Sequence, residues 1–495
     1  METMIIGGVV FDQSVLLVDD ETNPAAVSLL HKLRHSALAL GISYGPHLSS
    51  SKVSLLKKME TVYSMDCFRF DSSSSSTEDS ISELQLAWPQ ITGSILYLLS
   101  NINNNLFQKL TNCGWQIAIL NNEGTSACEG SNIVHINKLD ELPLTICRFN
   151  RKAIRNSVLT VGYVMKPSRE EDFAKRGAFP MSPTHNGLMF LPLSFELPLP
   201  PQLQEVDIVL HKATDEIISI ELSRSTEYPD KIVYTTGMQE LKRYMDQHIE
   251  CCVIDPLDNI YPVLDRLKIQ QILLGLDDLK AADHHIIRAP HFLKVDNFNE
   301  PDFVKRLTEA KLSLPCIVKP QVACGVADAH SMAIVFKVED FEGLSVPLPA
   351  VVQEYVDHSS TLYKFYVLGD QVFHAVKKST PNAEILMKLS GSDELKPLLF
   401  DSLKSLPTGS GNQHNSGEVK KCMDESLVKE AAKWLSTSLC LTIFGFDVVV
   451  EEGSGDHVIV DVNYLPSFKE VPDDIAIPAF WDAIKLKFQT KKHTI

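Results

Sequence analysis

Two apolar, β-branched runs near the C-terminus, separated by a short polar turn, predict an antiparallel hairpin. Residues 444–450 and 457–463 are rich in β-branched side chains, and a turn of Gly, Ser and acidic residues separates them. Side chains alternate along a strand, so Asp447, Asp461 and Asn463 share one face if Asp447 lies opposite Asp461. A register shift of one residue would turn Asp447 to the other face.

Two carboxylates and an amide that converge are typical ligands of Mg²⁺, which takes its remaining ligands from substrate phosphates and water. Without a cation the two carboxylates would repel each other. The alternative is the plain polar face of an edge hairpin, and this stretch alone does not decide between the two.

Further apolar segments upstream predict an antiparallel sheet, because short strands follow one another with tight connections. The predicted strands are residues 315–320, 332–336, 350–356 and 362–369. Lys319 ends the first of these strands, and the segment 322–330 after it is a candidate phosphate-covering loop. Helices are predicted at about 424–440 and 475–488.

The first 150 residues alternate apolar strands with helical segments, which predicts a small α/β domain. We expect strands at 14–18 and 115–120 and a helix at about 24–38. Asp19 and Asp20 after the first strand resemble the phosphoacceptor aspartates of response-regulator receivers and haloacid dehalogenase-like hydrolases. No second Asp motif or lysine completes either site, so we predict a domain without catalytic activity.

A second α/β module is predicted from residue 157, with strands at 157–164 and 206–210. His211 and Lys212 follow the second strand, and ligands usually bind at the carboxyl ends of strands in open α/β sheets. A lysine that simply faces solvent is the commoner case.

The next segment predicts a helix that begins with Pro262 at its first position. Apolar residues between Val263 and Leu274 form most of one face, and Arg266 and Lys268 lie off it. Either solvent or an anion would suit these two cations.

Length and composition indicate a globular protein of several domains. The chain has 495 residues, of which 44% are hydrophobic and 22% charged, and no apolar run approaches the length of a membrane span. No basic region precedes the first apolar residues, and the ten cysteines form no CxxC motif, so we expect reduced thiols and a cytoplasmic location. The net charge of −17 opposes general binding to nucleic acid or an anionic membrane, but permits a local basic pocket.

Several blocks occur in a specific order: Val-Lys-Pro at 318–320, Gln-Glu-Tyr-Val at 353–356, Leu-Tyr-Lys at 362–364, Phe-Asp at 446–447 and Asp-Val-Asn at 461–463. Together they resemble ATP-grasp enzymes. More closely, the chain resembles the inositol-tetrakisphosphate 1-kinase family (inositol 1,3,4-trisphosphate 5/6-kinases), in particular a plant-type member with an extra N-terminal domain.

The resemblance implies an α/β (α+β) fold in three parts. Residues 1–150 would form a Rossmann-like, non-catalytic N-terminal α/β domain. Residues 157–255 would form the N-terminal α/β subdomain of the kinase, and residues 256–495 the central and C-terminal ATP-grasp subdomains.

The resemblance also implies roles for single residues. Asp447, Asp461 and Asn463 would hold Mg²⁺, and Lys364 and His330 would be catalytic. The implied ATP-binding residues are Arg266, Lys319, Gln353, Glu354, Tyr355, Val356, Lys364 and Ser379. The implied inositol phosphate-binding residues are Arg169, Lys212, Arg266, His330, Lys364, Lys378, Asn463 and Ser467.

The implied activity is transfer of the γ-phosphate of ATP to a hydroxyl of an inositol tris- or tetrakisphosphate, with Mg²⁺, in phytate biosynthesis. Exchange of phosphate between inositol phosphates is a second implied activity. Cations and metal carboxylates suit such chemistry, because phosphoryl transfer needs in-line positioning and charge neutralisation. We expect a monomer that binds neither nucleic acid nor membranes.

Two alternatives remain open. An ATP-grasp carboxylate–amine ligase would share the nucleotide site, but would not need Lys212, Arg266 and Lys378 near one pocket. A non-catalytic inositol phosphate-binding protein would not need the metal carboxylates.

Four positions depart from the family pattern. Arg169 stands where animal members have Lys, and Gln321 where they have Arg. Cys324 stands where other members have His or Asp, and Ser467 replaces the usual Gly. These changes spare the predicted ATP and metal residues, but leave the inositol phosphate isomer undetermined.

Overall fold

The structure is a computed structural model. It describes residues 5–70, 76–91, 93–100, 104–121, 132–154, 158–222, 231–279, 286–389, 396–404, 406–407 and 423–494. The chain divides into two compact units, one made of Met1–Leu210 and His248–Cys252, the other of His211–Gln247 and Val253–Ile495. Helices and strands are both abundant, which confirms the predicted mixed α/β class. Within the described residues no helix is long and apolar enough to cross a membrane.

The strands in chain order are β1 (Ile6–Asp12), β2 (Leu17–Val18), β3 (Glu21–Thr22), β4 (Ala39–Tyr44), β5 (Asp66–Arg69), β6 (Ser94–Leu99), β7 (Gln116–Leu120), β8 (Ile133–Ile136), β9 (Leu159–Val164), β10 (Leu188–Pro192), β11 (Ile208–His211), β12 (Ile217–Glu221), β13 (Lys231–Tyr234), β14 (Cys252–Ile254), β15 (Ile287–Arg288), β16 (Phe292–Val295), β17 (Cys316–Pro320), β18 (Ser331–Val335), β19 (Ala350–Glu354), β20 (Thr361–Leu368), β21 (Gln371–Lys378), β22 (Leu398–Asp401), β23 (Ile443–Val450) and β24 (His457–Tyr464).

The α-helices are α1 (Gln13–Leu16), α2 (Pro24–Leu33), α3 (Ser50–Tyr63), α4 (Ser76–Ala87), α5 (Asn104–Asn112), α6 (Leu142–Ile154), α7 (Pro167–Lys175), α8 (Leu199–Leu203), α9 (Thr236–Gln247), α10 (Leu257–Leu264), α11 (Arg266–Leu273), α12 (Phe303–Glu309), α13 (Ala383–Leu389), α14 (Glu425–Leu439) and α15 (Asp473–Thr494).

The first unit contains a six-stranded parallel sheet in the order β5-β4-β1-β6-β7-β8. Its central strand β1 is apolar on both faces: Val9 and Phe11 join one buried cluster and Val10 joins another. Such a continuous apolar strand is typical of a parallel sheet that is covered on both sides.

The predicted strand at 14–18 is wrong. Asp12 has an extended backbone, and its side chain accepts from the backbone N–H of Ser14, so it caps the short helix α1 instead. Asp19 and Asp20 lie exposed in the turn between β2 and β3, where Asp20 pairs with Lys52 at 3.4 Å, and not at the end of a main-sheet strand.

Other predictions for the first unit are confirmed in outline. The strand predicted at 115–120 is β7, and those predicted at 157–164 and 206–210 are β9 and β11. The helix predicted to reach residue 38 ends at Leu33. A four-stranded sheet has the order β10-β9-β11-β14, with β9 and β10 parallel.

The second unit contains two five-stranded sheets. We call β16-β19-β17-β18-β22 the central sheet and β15-β24-β23-β20-β21 the C-terminal sheet. Neighbouring strands are antiparallel as predicted, except that β15 pairs with β24 in parallel. The predicted helices beside the hairpin are α14 and α15, and α15 is longer than predicted.

The predicted start of the helix at Pro262 is wrong. Pro262 lies inside α10, which ends at Leu264, and a new helix α11 follows. Asp265 caps α11 by accepting from the backbone N–H groups of Leu267 and Lys268. This break turns Arg266 inward, so it is buried and not off the apolar face as predicted.

Candidate functional site

The hairpin register is the one that the sequence predicts. Asp447 lies opposite Asp461, and Asn463 lies opposite Gly445, so the three polar side chains share one face. The register is fixed because Phe446 and Val462 on the other face are buried.

A β-bulge interrupts this hairpin next to the carboxylates. Asp447 pairs with Asp461, but Val448 pairs with Ile459, which leaves Val460 as the extra residue. The carbonyl oxygen of Val460 accepts a hydrogen bond from Lys319 Nζ at 3.2 Å. A lysine of the central sheet therefore reaches the strand that carries Asp461.

The electrostatics of this face combine paired acids with nearby bases. Burial raises the pKa of Asp447 to about 7, and the neighbouring Asp461 adds to the rise while Lys364 and Lys319 oppose it. Lys364 lies opposite Asp447 on β20, with Nζ 3.9 Å from Oδ1. Asn463 Nδ2 donates to Asp461 Oδ2 at 2.9 Å.

This donor set suits a hard divalent cation. No group of three or more His, Cys, Asp or Glu side chains converges as a metal site in the described part of the chain. Two carboxylates and one amide oxygen nevertheless match Mg²⁺, which keeps waters and substrate phosphates among its ligands. The raised pKa of Asp447 reflects a burial and repulsion that a bound cation would relieve.

Lys319 is a buried cation at the end of β17. Burial lowers its pKa to about 8, although Asp461 acts in the opposite direction. A lysine that is only 7% exposed and borders two carboxylates is well placed to face a phosphate group.

Arg266 is engaged by the loop that follows β17. Its Nη1 donates to the carbonyl oxygens of Pro320, Val322 and Ala329 at 2.7, 2.9 and 3.0 Å, and Nη2 donates to Ala323 at 3.4 Å. Burial lowers the pKa of Arg266. The guanidinium thus shapes the candidate phosphate-covering loop, and its predicted contacts with ATP and inositol phosphate stay predictions.

His330 ends that loop and is half-buried. Its Nδ1 lies 3.1 Å from Ser402 Oγ, which leaves Nε2 as the ring nitrogen for another partner. Burial lowers the pKa of His330, and the nearby charge of Arg266 lowers it further, so the imidazole is neutral at physiological pH.

Lys212 is held beside β24 by Tyr464, the residue after Asn463. Lys212 Nζ donates to the carbonyl oxygen of Tyr464 and lies 5.0 Å from the centre of its ring. The hydroxyl of Tyr464 bonds the carbonyl oxygens of His211 and Ile254 at 2.9 and 2.8 Å. Sequence reasoning missed Tyr464, although its place directly after a predicted ligand was a signal.

The predicted adenine-binding segment is the end of β19 and the residues after it. Gln353 and Val356 are buried, and Glu354 and Tyr355 are partly buried. The Tyr355 hydroxyl donates to the carbonyl oxygen of Pro381 at 2.5 Å, which anchors the segment after the strand.

Two neighbouring lysines on β21 point to opposite faces of the C-terminal sheet. Lys364 lies opposite Ala375, so Lys377 shares its face by alternation, whereas Lys378 projects from the other face. Lys377 forms an ion pair with Glu470. The sheet therefore brings Lys377, and not Lys378, to the side of Asp447.

For three predicted site residues, Ser379, Ser467 and Arg169, the structure gives mainly the position in the fold. Ser379 follows β21, and Ser467 is partly buried in a loop where Leu465 and Phe468 have φ of 42° and 36°. Ser467 itself is not in the left-handed region, so its backbone does not need glycine. Arg169 belongs to the first unit, and its predicted substrate role stays a prediction.

Two known protein families match this chain, each over a separate range of residues. Residues 281–481 match the inositol 1,3,4-trisphosphate 5/6-kinase ATP-grasp domain. Residues 1–152 match a family described as the ITPK4 N-terminal HAD-like domain. The second match supports the resemblance to haloacid dehalogenase-like proteins, although the aspartates that suggested it are not at the end of a main-sheet strand.

Curated relatives extend the similarity over nearly the whole chain. Inositol-tetrakisphosphate 1-kinase 6 of Oryza sativa subsp. indica is 50% identical over 98% of this chain and 90% of its own length. Inositol-tetrakisphosphate 1-kinase of Danio rerio is 27% identical over 58% of this chain and 69% of its own length. Among solved structures, the VanG D-Ala:D-Ser ligase of Enterococcus faecalis is 12% identical over 67% of this chain and 99% of that chain, with a TM-score of only 0.41. The extent of the rice similarity shows that this chain belongs to the inositol-tetrakisphosphate 1-kinase family.

Proposed function

We propose that this chain is a Mg²⁺-dependent inositol polyphosphate kinase, which transfers the γ-phosphate of ATP to a hydroxyl of an inositol tris- or tetrakisphosphate. The supporting observation is the shared face of Lys364, Asp447 and Asp461 in adjacent strands. Phosphoryl transfer is catalysed mainly by positioning and charge neutralisation, and this face offers both.

Each group on this face has a separate task. Asp447, Asp461 and Asn463 would hold Mg²⁺, which when bound neutralises charge on the transferred phosphoryl group. Lys319 and Lys364 orient phosphate oxygens from two different sheets. Gln353 to Val356 form the binding segment for the adenine ring.

The inositol phosphate faces a second set of residues. Lys212 supplies a fixed positive charge, because Tyr464 holds it beside the metal-binding strand. His330 is neutral and offers Nε2 for a hydrogen bond to a substrate hydroxyl or phosphate. Arg266 acts on this set by keeping the loop from Pro320 to Ala329 in place.

The direct test is ADP release by the purified full chain with a panel of inositol tris- and tetrakisphosphates, and in parallel with amino acids and peptides. We expect turnover with at least one inositol phosphate and none with the amine acceptors. Asp461→Asn should lower turnover by roughly 10²–10³-fold, whereas Asp474→Asn at the exposed start of α15 should leave it unchanged. Turnover with amine acceptors only would favour the carboxylate–amine ligase.

We further infer that the protein works in the cytoplasm as a monomer. The structure describes eight free cysteines, and free thiols are expected in a reducing compartment. Cell fractionation tests the location, and light scattering of the purified chain tests the monomer.

A further inference from the structure

An arginine joins the two sheets of the second unit beside the adenine-binding segment. Arg288 lies on β15 of the C-terminal sheet, and Glu354 is the last residue of β19 in the central sheet. Arg288 Nη1 donates to Glu354 Oε2 at 2.8 Å, and Nη2 donates to Oε1 at 3.0 Å. Such a two-pronged pair fixes both distance and angle.

The pair is mostly buried and is part of a larger network. The side chains of Arg288 and Glu354 are 13% and 18% exposed. Arg288 Nη2 also donates to Glu451 Oε2 at 3.3 Å, and Nε lies 3.9 Å from Asp456 Oδ2. His291 N–H donates to Glu354 Oε2 at 2.8 Å. The arginine therefore holds the end of β19 against the turn of the metal-binding hairpin.

This network decides what the segment can offer to a nucleotide. Both carboxylate oxygens of Glu354 are occupied by Arg288 and His291, so the side chain of Glu354 is directed away from a ligand. In the proposed ATP site the segment would meet an aromatic base through its backbone, of which Glu354 N–H already donates to the carbonyl of His291 and the carbonyl of Val356 already accepts from His358 Nδ1. The position of this backbone depends on where Arg288 holds Glu354.

We propose that Arg288 is a positioning residue for the nucleotide base. It fixes the segment from Gln353 to Val356 through Glu354, and so sets the affinity for ATP and the preference for adenine without touching the nucleotide. This inference rests on the proposed ATP site.

The test uses Arg288→Gln and Glu354→Gln in the full chain, with Arg306→Gln as a matched control. Arg306 forms a similar ion pair with Glu300 and donates to the carbonyl oxygen of Lys294 in the same sheet, away from the segment. We expect the two test variants to raise the KM for ATP roughly tenfold, with kcat and the KM for inositol phosphate changed by less than about threefold.

Base selectivity gives a readout that a loss of stability would not move. The ratio of kcat/KM for ATP to that for GTP should fall roughly fivefold or more in both test variants and stay unchanged in Arg306→Gln. If Arg288→Gln fails to fold, Glu354→Gln answers the question, because its one amide oxygen can still accept from Arg288 Nη1 and His291 N–H, while the second bond from Arg288 and the charge are lost.

The outcomes separate this inference from the function on which it rests. An unchanged ATP to GTP ratio, or an equal change in both KM values, would overturn the positioning role of Arg288. If the unaltered chain turned over no ATP with any inositol phosphate, the proposed function itself would be wrong. Calorimetric titration with ADP and with tripolyphosphate checks the first point without turnover, because only ADP binding should weaken in Arg288→Gln.

Discussion

Each unit has an aspartate in a β-strand that faces polar neighbours, but the neighbours differ. In the first unit, Asp12 Oδ2 accepts from the hydroxyls of Tyr97 and Ser43 at 2.9 and 3.4 Å, and Oδ1 accepts from Ser14 N–H at 2.9 Å. All of these donors are neutral groups of the protein. In the second unit, Asp447 instead faces another carboxylate, Asp461.

The difference shows how the same side chain can serve structure or chemistry. The lone pairs of Asp12 are used by fixed donors, so this carboxylate holds β1, β4 and β6 together at the end of the parallel sheet. The two facing carboxylates repel each other, and although Lys364 and Lys319 offset part of this repulsion, the pKa of Asp447 stays raised, which favours a bound cation. This contrast supports the prediction that the N-terminal domain is not catalytic.

The largest expected effect comes from Asp461→Asn, which keeps the shape of the side chain and removes its charge. We expect kcat to fall by roughly 10²–10³-fold, because a metal ligand that neutralises charge in the transition state is weakened. The melting temperature should not fall, since repulsion with Asp447 is relieved. Steady-state kinetics and thermal unfolding measure both, and activity within about tenfold of the parent would contradict the metal assignment.

Asp255→Asn extends the comparison to a third aspartate. Like Asp12, Asp255 accepts hydrogen bonds from neutral groups, here of Thr442, but it is fully buried. Burial raises the pKa of Asp255 to about 6, although hydrogen bonds from Thr442 act against the rise. The folded chain therefore retains a proton that the unfolded chain releases near pH 4. The stability that this proton provides is present below about pH 4 and is lost as the pH rises through 6.

The shift of about two pKa units corresponds to about 3 kcal/mol. Relative to Asp255→Asn, which does not titrate, the parent chain should lose about 2 kcal/mol of unfolding free energy between pH 4.5 and pH 7.5, because the rest is already lost below pH 4.5. Urea unfolding at the two pH values measures the difference. A constant difference would mean that Asp255 titrates normally.

Asp12→Asn should give the opposite result to Asp461→Asn. We expect kinase activity to stay within about twofold, and the unfolding free energy to fall by about 1–3 kcal/mol, because a partly buried acceptor of Tyr97 and Ser43 is weakened. Tyr97→Phe provides the matched control, because it removes the hydroxyl that donates to Asp12 and leaves the Asp12 carboxylate in place. Loss of activity in Asp12→Asn with unchanged stability would show that the first unit takes part in catalysis.

The smallest expected effect is that of salt on substrate affinity. Lys319 and Lys364 lie close to the facing carboxylates, and Lys212 contacts Tyr464 on the same strand as Asp461, whereas the donors to Asp12 are uncharged. Charge interactions are screened over roughly 8 Å at physiological ionic strength, so the KM for inositol phosphate should rise about threefold or more between low and moderate salt. The KM for ATP should rise less, because its adenine contacts are not ionic.

Initial rates at fixed free Mg²⁺ measure both KM values, and Lys212→Gln should flatten the salt response of the KM for inositol phosphate. Equal shifts of the two KM values would show that these cations do not form one substrate pocket.

The sequence by itself determined the hairpin that carries Asp447, Asp461 and Asn463. Two β-branched runs and the polar turn between them predict its strands, and the register with Asp447 opposite Asp461 buries Phe446 and Val462. The antiparallel strands before it could be predicted because short apolar runs follow one another with tight connections. The central strand of the first unit was not predicted, because β1 is apolar on both faces and has no alternation. The next apolar run, residues 14–18, resembles a strand in sequence, but Asp12 caps a helix there.

Only the tertiary structure decided which partners the long charged side chains reach. Arg266 was predicted to lie off the apolar face, but the cap at Asp265 starts a new helix and turns the guanidinium to the carbonyl groups of a distant loop. Arg288 and Glu354 are far apart in the chain, and no local pattern predicts that their sheets meet. Alternation along a strand is a local property and can be read from sequence, whereas a contact between two sheets depends on how the whole chain packs.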